Sequence, residues 1–420
     1  MAKYASAAIQ FSRGCPFNCE FCDVTKLLGR ESRTKTPEQM KCELDALYNR
    51  GHRGSVFIVD DNFIGNGKAV RSLLPVLEEW QKERRYPFNF FTEASLNLAW
   101  DTNKDILEGM RNAGFDFVFV GIESVDDDVL RTMQKSQNTR MSQYEAVRKI
   151  QKAGLEVSGG FIIGSDGEKK DVFKRFYNFI QDAGIVLPMP GFLTAIRGTD
   201  LYRRLEREGR IKHESDGNNT HKLGFNFETQ QDEAFLIEGY KELIKKLFDH
   251  KNYYERCRVQ RDNLGEQRTV YIRGLDGLLA FAKTLYRLVP AKGGVEYLKH
   301  LGRNLGRGRF SRAVTQAIKL DHLHYITKAT IEADEFAPEV DSMYNQFVKK
   351  AGEIYSDSKI DVSERLNLIS DKAQRAIRKA EKRYGALHRD FRNRAGVAFE
   401  RFRTGVGEVV NSYKLGSATP

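Results

Sequence analysis

The chain has 420 residues, 40% of them hydrophobic and 30% charged, with a formal net charge of +11. This composition excludes a disordered chain and leaves room for one large domain with an appendage, or for two or three ordinary ones. No apolar run approaches the roughly 18–20 residues of a membrane-spanning helix, and the opening MAKYASAAIQF has no long apolar stretch or cleavage site for export, so a cytoplasmic location is expected.

The first two hundred residues alternate β-rich runs with helical patterns. AAIQFSR (7–13) reads as the first strand, and a helix is expected over 37–50. Thr36 suits its N-cap, Pro37 its first turn and Gln39 the T-x-x-Q capping box; Met40, Leu44, Leu47 and Tyr48 give it an apolar stripe. SVFIVDD (55–61), FNFFTEAS (88–95), FDFVFVGIES (115–124), VSGGFIIG (157–164) and GFLTAI (191–196) follow as strands. Helices at 67–85, 103–113, 141–153 and 169–183 separate them. Six βα units in succession mean a parallel sheet, so the expected fold class is α/β, a partial (β/α)6 TIM-like barrel, over residues 1–210.

Beyond about 210 the strand signal stops. Residues 211–260 read as a helical extension of the core, and 261–420 as a basic helical C-terminal region broken by glycines, as in GRNLGRGR at 302–309. A single long helix is expected over 364–403, with Ile369, Ala373, Ile377, Ala380, Tyr384, Leu387, Phe391, Ala395, Phe399 and Phe402 at steps of three or four. The charge is uneven: residues 251–420 hold 32 Lys+Arg against 20 Asp+Glu, whereas residues 1–250 hold 36 against 37. An electrostatic partner is therefore sought in the C-terminal part.

Chemistry concentrates in FSRGCPFNCEFCDV (11–24), where three of the chain's five cysteines stand in the spacing C-x3-C-x2-C. Crowded cysteines in a reducing compartment read as metal ligands, not as a disulfide framework. A structural zinc site needs a closed set of four ligands, and neither Cys42, away from the apolar stripe of its helix, nor the distant Cys257 offers the fourth. An ordinary cubane takes one thiolate per iron, so Cys15, Cys19 and Cys22 would leave one iron open. In parallel barrels chemistry collects at the C-terminal ends of strands, and acids recur there: Asp60 and Asp61, Glu93, and Glu123. Each alone reads as a solvated loop carboxylate; three strand ends together read as a site.

C-x3-C-x2-C after the first strand of a βα series resembles the signature of the radical SAM enzymes. The resemblance implies that Cys15, Cys19 and Cys22 hold a 4Fe-4S cluster whose open iron binds S-adenosylmethionine (SAM), which is cleaved to a 5'-deoxyadenosyl radical. It also implies SAM contacts at Asp60 and Asp61 for the amino group, at Glu123 and Ser124 of GIES for the ribose, and at Gly160, Ile162 and Gly164 of GFIIG and at Phe21 for the adenine, and Glu93 joins these expected contacts by its place near the end of the third strand. RTKTPEQM, GSVFIVDDNFIGN, FFTEASLNLA, GTDLYRRLEREGR and KNYYER extend the likeness over about residues 4–256, to the cobalamin-dependent group that contains hopanoid C-2 methylases. That group normally carries an N-terminal cobalamin-binding domain. Here the cysteine loop begins at residue 15 and no histidine precedes His52, so the expectation is a chain without that domain.

The reading that follows is a radical SAM enzyme modifying an unactivated carbon, by methylation or a related step, in a substrate that includes lipids. The resemblance implies an external electron donor such as flavodoxin or ferredoxin, and a separate cobalamin-binding protein if cobalamin is used. The basic C-terminal helix suits an anionic membrane surface; its plainer reading is a bundle helix with a solvated basic face. Nucleic acid ranks below a membrane as a partner, because no RNA-binding module is recognisable. Two alternatives stand beside this reading: a radical SAM enzyme modifying RNA or another substrate without cobalamin, and a non-catalytic binding protein built on the basic helix.

Overall fold

The computed structural model describes residues 6–215, 223–267, 275–306, 309–387, 389 and 392–416. Two expectations touch residues outside that set: Phe391, and Arg307 and Gly308 of the glycine-rich stretch. The chain divides into two compact units, residues 1–321 and 322–420.

The first unit is built on six parallel strands paired in chain order: β1 (Ser6–Ile9), β2 (Gly54–Ile58), β3 (Phe88–Ala94), β4 (Phe115–Glu123), β5 (Glu156–Ile163) and β6 (Pro188–Phe192). Helices Pro37–Asn49, Gly67–Glu83, Lys104–Asn112, Gln143–Lys152 and Val172–Ala183 make the crossovers. This is the expected α/β architecture, a run of βα units whose edge strands β1 and β6 do not pair with each other. Local chemistry explains the first crossover. Thr36 accepts a hydrogen bond from the Gln39 amide while the Gln39 side chain accepts one from the Thr36 amide, and Met40 and Leu44 are fully buried. Aromatic side chains bind neighbouring strands face to face, as where Phe57 and Phe91 stack with ring centroids 4.7 Å apart.

Three strand boundaries differ from expectation, the second strand stopping at Ile58 and not at Asp61. The first strand ends at Ile9 and not at Arg13, because the Phe11 and Ser12 amides turn to donate to the Asp60 carboxylate instead of to a neighbouring strand. The sixth lies at 188–192 and not at 191–196: its sheet partners stop at Ile163–Phe192, beyond which the Leu193 amide makes one last bond to the Ile163 carbonyl.

Helices complete the unit beyond residue 200. The start of helix Arg309–Tyr355 packs under the N-terminal ends of β4 and β5, where Arg312 Nε lies 2.8 Å from Glu156 Oε1 and Lys319 stands over the Phe117 ring. Burial, reinforced by the charge of Glu156, pushes the Asp116 carboxyl at this end up to about 7.

In the second unit the rest of that helix shares one apolar core with helices Val362–Ala386 and Arg392–Gly416, around Phe336, Phe347, Ile369, Ala380, Phe399 and Phe402. The single helix expected over 364–403 is therefore two. Leu387, buried, leaves the helical region at φ −64°, ψ 147°, and the chain re-enters a helix at Arg392. Steps of three and four run through the break because both helices face the same core, with Tyr384 stacked on Phe399 at 4.8 Å.

Candidate active site

The three cysteines lie on an excursion, residues 14–32, closed at its base by a two-residue antiparallel ladder that pairs Ser12 with Thr34 and Arg13 with Arg33. The closure is tight at Gly14: φ is +99°, and a Cβ there would fall 2.6 Å from the Glu31 carbonyl oxygen, which only glycine permits. The Cys15 amide donates to the Gly29 carbonyl and the Ser32 hydroxyl to the Gly14 carbonyl, so the excursion is fastened to itself.

Asp60, just beyond β2, is the anchor. One carboxylate oxygen accepts from the Phe11 amide at 2.8 Å; the other accepts from the Ser12 amide at 2.8 Å and the Ser12 hydroxyl at 2.6 Å. Asp60 is 1% exposed, and burial raises its pKa against the pull of those donors. Its neighbour Asp61 accepts from the Gly14 amide at 3.3 Å. Glu93, on β3, has its pKa raised first by burial and then by the charge of Asp61, so these two acids face a common space beside the loop.

Two sulfurs have side-chain donors that no sequence pattern singles out. Asn62 Nδ2 is 3.7 Å from Cys15 Sγ, while its Oδ1 accepts from the amide and hydroxyl of Ser95 at the end of β3. Gln137 Nε2 is 3.6 Å from Cys19 Sγ, on a turn that Asn138 ties to the Gly121 and Ile122 carbonyls of β4. An N–H aimed at sulfur favours the thiolate. Burial opposes it: the Cys22 thiol is pushed up to about 11 and Cys15 is raised as well.

The expected site residue Glu123 forms a buried ion pair with Lys135, Oε1 to Nζ at 2.5 Å. Glu123 takes a left-handed backbone conformation, φ +64°, unusual for a residue with a side chain. Gly121 makes space for the pair, since a Cβ there would lie 2.2 Å from Glu123 Oε1 and 2.6 Å from Lys135 Nζ. Lys135 also stands 5.8 Å from the Phe21 ring centroid. Burial works against its charge, but Glu123 and the thiols outweigh burial and raise its pKa. Ser124 is buried and engaged locally, its hydroxyl accepting from the Asp126 amide. On β5 the backbone of Gly160 is approached by Phe119, 3.1 Å from where a Cβ would sit, while Ile162 is partly exposed. Gly164, at φ +93°, would place a Cβ 2.1 Å from Phe225 Cε1; its amide donates to Glu168, whose carboxyl burial pushes up to about 7.

The far side of the loop is fastened by charge. Lys26 pairs with Asp200 at 2.9 Å, and Arg204 reaches Glu20 at 2.7 Å and Asp166 at 2.7 Å. Among the described residues no group of three His, Cys, Asp or Glu side chains is gathered closely enough to hold one metal ion. The three thiols are nonetheless near enough that Cys19 raises the pKa of Cys15, and Cys19 and Cys15 together raise that of Cys22. Such spaced thiols on one loop fit a multi-iron cluster, with one thiolate per iron, and not a single zinc ion ringed by four ligands. Cys42 is exposed on its helix and Cys257 is buried elsewhere, so neither joins them.

Residues 9–180 match the model of the radical SAM superfamily, and residues 199–335 match that of a domain of unknown function, DUF4070. An uncharacterized methyltransferase of Synechocystis sp. (strain ATCC 27184 / PCC 6803 / Kazusa) is 46% identical over 253 residues, covering 60% of this chain and 47% of the relative. The hopanoid C-2 methylase of Rhodopseudomonas palustris (strain TIE-1) is 45% identical over 215 residues, covering 51% of this chain and 40% of the relative. The chain thus spans less than half the length of these two curated relatives. Among solved structures, the cobalamin-dependent S-adenosylmethionine radical enzyme OxsB aligns over 97% of this chain and 59% of its own, at 15% identity and a TM-score of 0.45.

Proposed function

Because residues 9–180 match the model of the radical SAM superfamily, we propose that this chain is the catalytic core of an enzyme that modifies an unactivated carbon, by methylation or a related step. The observation that carries the reading is the fastened loop of three thiols at the mouth of the sheet, with Asp61, Glu93 and the Glu123–Lys135 pair beside it. Cys15, Cys19 and Cys22 would hold a 4Fe-4S cluster. Bound there, the cluster supplies the electron that cleaves S-adenosylmethionine to a 5'-deoxyadenosyl radical, which takes hydrogen from the substrate.

The chain's own residues do the rest. Asn62 and Gln137 direct N–H groups at Cys15 and Cys19, and Lys135 brings positive charge to the same thiols. At Cys15 the Asn62 and Lys135 contacts act against the burial that raises its pKa, without outweighing it. Asp60 is spent on holding the loop, so Asp61 and Glu93 are the acids left to receive the amino group of S-adenosylmethionine. Gly160 and Ile162 on β5, Gly164 just beyond it and Phe21 on the loop are the residues assigned to the adenine by the family resemblance.

The likeness to a hopanoid C-2 methylase supports methyl transfer to a lipid; cobalamin as methyl carrier and a flavodoxin or ferredoxin as electron donor complete the proposed reaction. The test is anaerobic reconstitution with iron and sulfide, then incubation of the reduced protein with S-adenosylmethionine. The expected product is 5'-deoxyadenosine, joined by S-adenosylhomocysteine when cobalamin and a hopanoid-type acceptor are supplied. A reconstituted protein that yields no 5'-deoxyadenosine overturns the reading.

A further inference from the structure

Within residues 322–420 a groove of about 200 Å³ lies between helices Arg309–Tyr355 and Val362–Ala386. The first helix lines it with Met343, Gln346, Phe347 and Lys350. The second lines it with Lys372, Arg375, Ala376 and Lys379. Both sets follow the spacing i, i+3, i+4, i+7, so the groove is formed by two regular helix faces and is not an accident of a loop.

Its chemistry is one-sided. Four cations line it and no carboxylate does. None of the four makes an ion pair with a described residue, whereas Arg383 and Arg401 in the same unit pair with Glu339 and Asp341 at 2.8 Å. Like charges three and four residues apart on one helix repel, as Lys372, Arg375 and Lys379 do here, and an anion between them relieves that repulsion. Below the cations the floor is apolar, formed by Met343, Phe347 and Ala376. An occupant must therefore be anionic at one end and apolar just behind it.

We propose that this groove receives the phosphate headgroup and adjoining acyl segment of an anionic phospholipid, docking the helix pair on a bilayer surface. A phospholipid fits better than a nucleic acid because single-stranded RNA needs an exposed aromatic face on which to stack its bases. The groove's one aromatic, Phe347, is 4% exposed and packed into the core of the unit. The volume suits a headgroup and its first carbons. The inference uses nothing from the cysteine loop and stands or falls apart from the proposed chemistry.

The test is co-sedimentation of the full chain, without cluster, with phosphatidylcholine vesicles and with vesicles containing phosphatidylserine. Binding is expected only to the second, weakening as salt rises. Lys372→Gln with Lys379→Gln should reduce it by about fivefold per residue. Arg378→Gln with Lys382→Gln, on the same helix but outside the groove, removes equal charge and should change binding less than twofold. Circular dichroism of both double variants checks that they fold. Equal losses in the two double variants would reduce the groove to a diffuse basic face and overturn the proposal. So would absence of binding at low salt, or tighter binding of an unstructured RNA that displaces the vesicles.

Discussion

Arg204 Nη2 stands 2.7 Å from Glu20 Oε1, joining the helix that follows the last strand to the loop that carries the three cysteines. The strands at the two edges of the sheet, β1 and β6, do not pair, so this contact closes at the mouth what the sheet leaves open. The Leu201 amide, donating to the Glu20 carbonyl at 2.8 Å, closes it a second time. Glu20 is 7% exposed, so removing Arg204 leaves it sheltered without that partner, while Asp166, which the same guanidinium also reaches, keeps Arg210 at 2.8 Å.

Arg204→Ala should therefore destabilise the first unit by about 3 kcal/mol, the scale for breaking a sheltered pair from one side. It should also shorten the lifetime of a reconstituted cluster against a chelator, because Glu20 lies between Cys19 and Cys22. Arg204→Lys should recover part of the lifetime. An unchanged lifetime in the alanine variant would show that the ion pair does not hold the loop.

Replacing Cys15, Cys19 or Cys22 by alanine should abolish the visible absorbance of the reconstituted protein. Cys42→Ala should leave it intact, since Cys42 is exposed on the first crossover helix. Cys257→Ala should also leave it intact, at a cost in stability of about 1 kcal/mol for a buried side chain. Loss of absorbance in the Cys42 variant would reveal a fourth ligand.

Gly164→Ala should cost at least about 2 kcal/mol, from strain at φ +93° and from overlap with the Phe225 ring. A compensating Phe225→Leu should recover the overlap but not the strain. Thermal unfolding of the single and double variants measures both contributions.

His300 provides a pH test. Burial, joined by the charges of Arg261 and Arg303, lowers its pKa from 6.5 to about 4 against the opposing pull of Gln316 Oε1, 3.1 Å from its Nε2. The folded chain thus keeps it neutral where the unfolded chain takes up a proton. Its contribution is present above pH 6.5 and is lost as pH falls towards 4, by about 3 kcal/mol in all. His300→Gln should flatten this acid limb between pH 6.5 and 4, as followed by hydrogen exchange in helices Gly294–Arg303 and Arg309–Tyr355. An unchanged limb would assign the acid loss to other groups.

Much of this protein is determined locally, and that part could be read from the sequence. The C-x3-C-x2-C spacing, the Thr36–Gln39 capping box and the alternation of β-rich runs with amphipathic helices depend on neighbours three or four residues apart, so they name the chemistry and the α/β sheet without coordinates. The periodicity of residues 364–403 likewise marked the buried Ile369, Ala373 and Ala380. It could not show the break at Leu387, because a bundle presents the same apolar steps to one core from both sides of a turn. Only the tertiary structure decided what the strand-end and loop acids do, since a carboxylate's role depends on which donors reach it. Asp60 meets the amides of Phe11 and Ser12 across 49 and 48 residues, Glu123 meets a lysine twelve residues on, and Glu20 meets an arginine 184 residues away. Asn62 and Gln137 carried no signal at all, because an amide side chain becomes a sulfur's hydrogen-bond donor only when folding sets it beside that sulfur.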